Sequence, residues 1–283
     1  MDSINKLRDY IAPKVYAFGG KSRIGQAAIA MLLYVILPKI RQITGRKDTR
    51  DLLKFRNIHK GKRIFVIATG PSLREEDVLK LKDEITISVN GSVALAETIG
   101  WRPTYYCISD IEVYWRERDR IINAGLKDVF MYLWIMKRYE SEFTFTPHYF
   151  DGYQRLKDVI SILRGKEYED MEFSNDIYLK GAYLGGRSIM AVAVQLAAYM
   201  GASEIYLLGQ DCDYRGPKQY FNNTVNNHVV QNPEDINKAV RALFTFYRAA
   251  RKYCESHNIK LCNATRGGRL EELERVNFDD LVD

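Results

Sequence analysis

Four short stretches of this chain carry residue types that cradle anions or move protons. The first is Thr69-Gly70-Pro71-Ser72, which ends the apolar run Ile64 to Ala68 and precedes the charged, helix-spaced Arg74 to Lys80. A turn of glycine and small hydroxyl residues between strand and helix lets backbone N–H groups face a phosphate. The same turn is also compatible with an ordinary strand-to-helix connection capped by Ser72. It lacks G-x-G-x-x-G and a P-loop lysine, so nicotinamide and P-loop readings lose support. The second stretch is Gly185-Gly186, feeding the small-residue helix that runs to Gly201. A glycine pair there allows close approach to a ligand or to a sheet. The third is Asp211-Cys212-Asp213, the D-x-D spacing by which many nucleotide-sugar enzymes hold a divalent ion. As a lone tripeptide it reads better with Asp211 as a structural or supporting carboxylate. The fourth is the polar, Asn-rich segment Tyr214 to Asn232, which holds Tyr220 and His228. A neutral imidazole can take a proton from a hydroxyl, although a lone His in a polar loop is more often a surface residue.

The elements that must position these residues follow from apolar patterning. Ile64 to Ala68, Ile85 to Val89 and Ile205 to Leu208 are apolar or β-prone at nearly every position, which suits parallel strands covered on both faces. Trp101 to Asp110 reads as a further strand, as do Val129 to Trp134 and Ile259 to Asn263. Three strand ends thus carry small polar residues: Thr69 and Gly70, Asn90, and Ser109 with Asp110. In an open parallel sheet the carboxyl ends of strands line the ligand crevice, so these residues are expected to converge. Asn and Asp also terminate strands for purely local reasons, which is the simpler alternative. The segments Phe143 to Tyr153 and Arg164 to Asp176 read as irregular or lid-like, and Leu270 to Asp283 as a surface cap. The expected fold is α/β, with a doubly wound, largely parallel, Rossmann-like sheet over residues 61–283 and a helical appendage over 1–60.

Composition sets the outer bounds. The chain has 283 residues, 46% hydrophobic and 28% charged, with a formal net charge of +6 and a pI of about 9.0. This is a globular composition whose charge favours an anionic partner. No nucleic-acid-binding module is recognisable, so nucleic acid is not expected as that partner. Four scattered cysteines without C-x-x-C spacing argue for reduced thiols in a cytoplasmic protein rather than for a disulfide framework or a zinc site. The apolar block Ile24 to Leu37 lies between basic flanks and is closed by Pro38. It is short for a transmembrane helix and lacks a signal-peptide cleavage site. Two readings remain open: a helix packed on the main domain, or a peripheral contact with the anionic inner face of the membrane.

Ala68 to Leu73, Asn90, Gly185-Gly186 before an Ala-rich helix, Ile205 to Asp211, and His228 ahead of Asp235-Ile236 together resemble bacterial lipooligosaccharide sialyltransferases. They equally resemble a wider group that includes motility-accessory-factor glycosyltransferases and MptE-like (DUF115) 6-hydroxymethylpterin diphosphokinases. The resemblance covers roughly Lys62 to Asn263. It implies that Thr69, Gly70, Ser72, Asn90, Ser109, Asp110, Gly185 and Gly186 hold the nucleotide. It further implies that Tyr214 and Tyr220 hydrogen-bond the departing phosphate and that His228 is the general base. The partners would be a nucleotide-activated sugar, such as a nonulosonate on CMP, and a glycan, lipid-linked or protein hydroxyl, with no metal required. In the diphosphokinase alternative, the same cradle would take ATP and Mg²⁺, with Asp110, Asp211 or Asp213 as ligands. Thr69 stands where the sialyltransferases carry Asn, Gly185 replaces a hydroxyl residue, and the His-to-Asp spacing is one residue longer.

Overall fold

A computed structural model describes residues 22–44, 47–215, 220–221 and 233–282. Helix α1 (Arg23–Ala30) continues through a π-helical turn (Met31–Ile36) into α2 (Leu37–Thr44) and a 3₁₀ segment (Lys47–Phe55). Pro38 therefore does not close the apolar block, as its position in the sequence suggests. Proline lacks the N–H that an α-helical turn would use, and the chain widens just before it: the Leu37 N–H bonds the Leu32 carbonyl five residues back.

The sheet follows. Strand β1 (Arg63–Ile67), α3 (Glu75–Leu79), β2 (Ile85–Val89), α4 (Ala94–Thr98), β3 (Tyr105–Ile108), α5 (Ile111–Asn123), β4 (Asp128–Tyr132) and α6 (Leu133–Met136) alternate along the chain. Next come β5 (Thr146–Phe150), β6 (Gly152–Tyr153), α7 (Leu156–Arg164), β7 (Ala182–Tyr183), α8 (Ile189–Tyr199), β8 (Glu204–Leu208), α9 (Pro233–Ser256), β9 (Lys260–Asn263) and β10 (Glu274–Arg275). Eight strands form one sheet in the order β10-β9-β8-β1-β2-β3-β4-β5, and every pair in it is parallel. Strands β6 and β7 pair separately. The chain steps outward from β1 to β5, then crosses back to lay β8 on the other side of β1. That is the doubly wound α/β fold expected from the apolar runs.

Strand β1 shows why its sequence has no alternation. Ile64 and Val66 face the cluster that includes α8, while Phe65 and Ile67 face Leu73, Val78 and Phe278 on the opposite side. Helix α8 is buried from Ile189 to Ala197, because its Ala and Val side chains lie between sheet and α9. The segment from Phe143 to Tyr153, expected to be irregular, instead supplies edge strand β5. Pro147 interrupts the apolar pattern there, and an edge strand tolerates a missing ladder donor.

Candidate active site

The reversal of strand order between β1 and β8 leaves a crevice at their carboxyl ends, the position at which open parallel sheets accept ligands. A cavity of about 600 Å³ occupies it, walled by the turns after β1, β2, β3 and β8, the amino end of α8 and one face of α9.

Each wall has a local cause. After β1, the Ala68 and Gly70 N–H groups bond the Leu208 and Gly209 carbonyls at 2.9 and 2.8 Å, so the two turns are stitched together. The Ser72 N–H and hydroxyl both donate to Asp211 Oδ2, at 3.3 and 2.9 Å. The loop also returns to this turn, since the Phe221 N–H donates to the Thr69 carbonyl at 3.0 Å. After β2, Asn90 adopts a left-handed φ of 49°, which Asn tolerates better than most residues. The Tyr106 hydroxyl pins its carbonyl at 2.6 Å. Its side-chain Oδ1 is buried at the crevice without a partner among the described residues, an acceptor positioned for a ligand donor. After β3, Asp110 is the N-cap of α5, accepting from the Glu112 and Val113 N–H groups at 2.8 and 3.4 Å.

The chemistry of the ionisable groups divides sharply. Burial raises the Asp211 carboxyl above its ordinary value, while the Ser72 donors pull it back down. Asp213 is clasped by Arg215, whose two nitrogens lie 2.8 and 2.7 Å from its two oxygens and hold its carboxyl at about 2. The Tyr214 and Tyr220 phenols are both pushed up by burial, although Tyr214 is 39% exposed as a whole residue. Both remain protonated near neutrality and can act as donors. The Cys212 thiol is pushed up to about 12 by burial, which makes it a poor nucleophile.

Of the residues expected from the sequence, Thr69, Gly70, Asn90, Ser109, Asp110, Asp211, Asp213, Tyr214 and Tyr220 all line this one cavity. Ser72, Gly185 and Gly186 are not among its lining residues. Ser72 is turned to Asp211. Gly186 sits where a Cβ would lie 2.9 Å from Ala191 and 3.0 Å from Phe246, so it serves the packing of α8 against α9. His228 lies outside the described residues. Sequence reasoning missed Arg187 and Ser188, which follow the glycine pair and enter the cavity. Arg187 takes a left-handed φ of 52°, and Ser188 caps α8 by accepting from the Met190 N–H at 3.2 Å. The signal was present as an Arg-Ser pair immediately before a helix, the place where an anion meets a helix amino end.

A divalent ion would need oxygen ligands converging at about 2.1 Å for Mg²⁺. Among the described residues no three His, Cys, Asp or Glu side chains come together in this way. Asp110 caps a helix, Asp211 is engaged by Ser72 and Asp213 by Arg215. A Mg²⁺ ion carried on nucleotide phosphates needs only one or two protein carboxylates, and Asp110, Asp211 and Asp213 all line the cavity.

The family model described as 6-hydroxymethylpterin diphosphokinase MptE-like matches residues 35–217. The match takes in β1 through β8 and most of the crevice, and it stops short of Tyr220 and His228. It reaches back beyond Lys62, where the motif-based resemblance begins, into the π-helical turn. No curated protein matches the chain.

Proposed function

The chain belongs to the MptE-like family, and from that premise we propose that it is a glycosyl-type transferase. It would move a sugar, best read as a nonulosonate carried on CMP, from its nucleotide to an acceptor hydroxyl. The observation that carries this reading is the division of labour in the crevice. Asp110 caps a helix, Asp211 accepts from Ser72 and Asp213 is paired with Arg215, while Arg187, Ser188 at the amino end of α8, Tyr214 and Tyr220 line the cavity. Such donors suit a departing nucleotide phosphate, whose developing charge is stabilised by hydrogen bonds already in place. Thr69, Gly70, Asn90 and Ser109 would seat the nucleoside, and the Asn90 Oδ1 would accept from it. The acceptor would lose its hydroxyl proton to His228 as the new glycosidic bond forms and the bond to phosphate breaks.

The diphosphokinase in the family's name favours a second reading, which would be pyrophosphoryl transfer from ATP with Mg²⁺ to a pterin alcohol. A thermal-shift panel of CMP, CDP, UDP, GDP and ATP, with and without Mg²⁺, separates the two. A ligand that binds only the folded chain stabilises it by about 2.7 kcal/mol at a hundred times its Kd. Stabilisation by CMP without metal is the expected result. Stabilisation by ATP only when Mg²⁺ is present would replace the glycosyl reading with the diphosphokinase one.

Arg187→Gln should weaken nucleotide binding by about tenfold or more, since a charged hydrogen bond to phosphate contributes about 1.5–3 kcal/mol. Titration calorimetry with CMP is the measurement. Unchanged affinity would remove Arg187 from the phosphate site.

A further inference from the structure

Helix α7 carries an apolar stripe that nothing among the described residues covers. Leu156, Ile160 and Leu163 recur at helical spacing along one face and are 53%, 36% and 44% exposed. The opposite side of α7 is satisfied: Val159 is buried with Ala27 and Ala30 of α1, and Ile162 packs beside them. Exposed aliphatic residues scattered singly carry no message, but three on one helix face form a patch.

The stripe also has a basic surround. Helix α1 runs antiparallel to α7, because Arg23 at its start lies against Gly165 at the end of α7. Ile24, 75% exposed, therefore sits at the end of the pair that carries Leu163, next to Arg164 and Lys166. Arg23, Arg164 and Lys166 are all exposed at that end. Of the acids that follow α7, Glu167 is paired with Arg241, Asp170 with Lys157 and Glu172 with Tyr153, which leaves Glu169 exposed.

We infer that α1 and α7 together form a docking surface for an anionic lipid bilayer. The stripe and Ile24 enter the boundary between head groups and acyl chains, and the flanking cations lie among the lipid phosphates. A few inserted aliphatic side chains plus headgroup attraction suffice for reversible membrane contact. The same four side chains cover well under the roughly 800 Å² per partner of a stable protein interface, which argues against a second copy as occupant. No helix among the described residues is long and apolar enough to cross a membrane, so the contact is peripheral. On the buried side of α7, away from the stripe, the Tyr183 hydroxyl donates to Asp158 at 2.9 Å, and the next residue, Leu184, lines the cavity. Docking itself does not depend on which group the crevice transfers.

The test uses the full chain without nucleotide and phosphatidylcholine vesicles with or without phosphatidylglycerol. Sedimentation with the phosphatidylglycerol vesicles only, weakening as salt screens the charges, is the expected result. Leu156→Ser, Ile160→Ser and Leu163→Ser combined should lower binding at least about tenfold. In the otherwise intact chain, Leu163→Trp should add an emission that shifts to the blue when those vesicles are present, a readout that survives if the triple variant folds poorly. Absence of wild-type sedimentation, an unshifted emission from the Leu163→Trp variant, or a lipid-free dimer that the triple variant breaks would each overturn the inference.

Discussion

His228→Ala is expected to bind nucleotide as the wild type does and to transfer at least about a hundredfold more slowly, the usual contribution of a positioned general base. The other groups described in the crevice are poorly suited to that role. Asp213 is held at about 2 by Arg215 and is a weak base, Asp110 and Asp211 are engaged by backbone and Ser72, and the two phenols are donors. The described residues on either side of the His228 segment in sequence reach the cavity, Tyr220 before it and Ile236 after it. Phe221 is bonded to the Thr69 carbonyl, and Ile236 lies on the α9 face that lines the crevice. A base that works only as the neutral imidazole would make the wild-type rate climb with pH on its acidic limb and then level off. The variant should lose this acidic limb, so initial rates across pH, alongside nucleotide thermal shifts, are the measurements. A folded variant that transfers at near-normal rate, with the limb intact, would mean that the base is another group.

Gly70→Ala should be the most damaging single change in the nucleotide turn. A Cβ there would lie 2.0 Å from Asp211 Oδ2 and 2.4 Å from the Gly209 carbonyl. Neither atom can retreat without losing a hydrogen bond. The Gly209 carbonyl is bonded to the Gly70 N–H, and the Asp211 main chain is fixed by the Arg269 N–H at 2.7 Å. The methyl group would drive the carboxylate off Ser72, leaving buried polar groups unpaired. Overpacking costs about 1–3 kcal/mol and the lost bonds add a similar amount, so a loss of about 3 kcal/mol is expected. For a chain of this size that corresponds to a melting temperature about 5 °C lower, read by calorimetry, together with loss of nucleotide binding. Gly267→Ala is the control. Its Cβ would make only ordinary contacts, 3.6 Å to Ser72 and 3.8 Å to Asp211, and should cost less than about 1 kcal/mol.

The sheet and its crevice were legible because they depend on local pattern. Strands such as Ile64 to Ile67 are apolar on both faces, and that requires cover on both sides. Strand ends in a parallel sheet point one way, so Thr69, Asn90 and Asp110 had to meet. What stayed hidden depends on partners distant in sequence. Ser72 looks like a phosphate ligand until Asp211, 139 residues later, takes its hydroxyl. Gly185-Gly186 looks like a ligand turn, whereas Gly186 makes room for Phe246 and the next two residues face the cavity. Strand β5 was obscured by Pro147 and by His148. That imidazole is fully buried, bonded to Asp128 at 2.7 Å and also to Asp51 of the 3₁₀ segment. A histidine among aromatic residues does not announce two carboxylate partners, 97 and 20 residues earlier in the sequence.

The packing of α1 on α7 sets an order of events during synthesis. The first helices described here end at Thr44, yet Val159 and Ile162, which cover Ala27 and Ala30, belong to a helix ending at Arg164, roughly 120 residues later. At about 5–20 residues per second, the apolar face of the nascent helix waits on the order of ten seconds for its partner. During that interval the Ile24 to Leu37 block, with a cation at Arg23 and another at Lys39, is an unclaimed amphiphile. Whatever meets it first, chaperone or lipid, does so before the crevice exists.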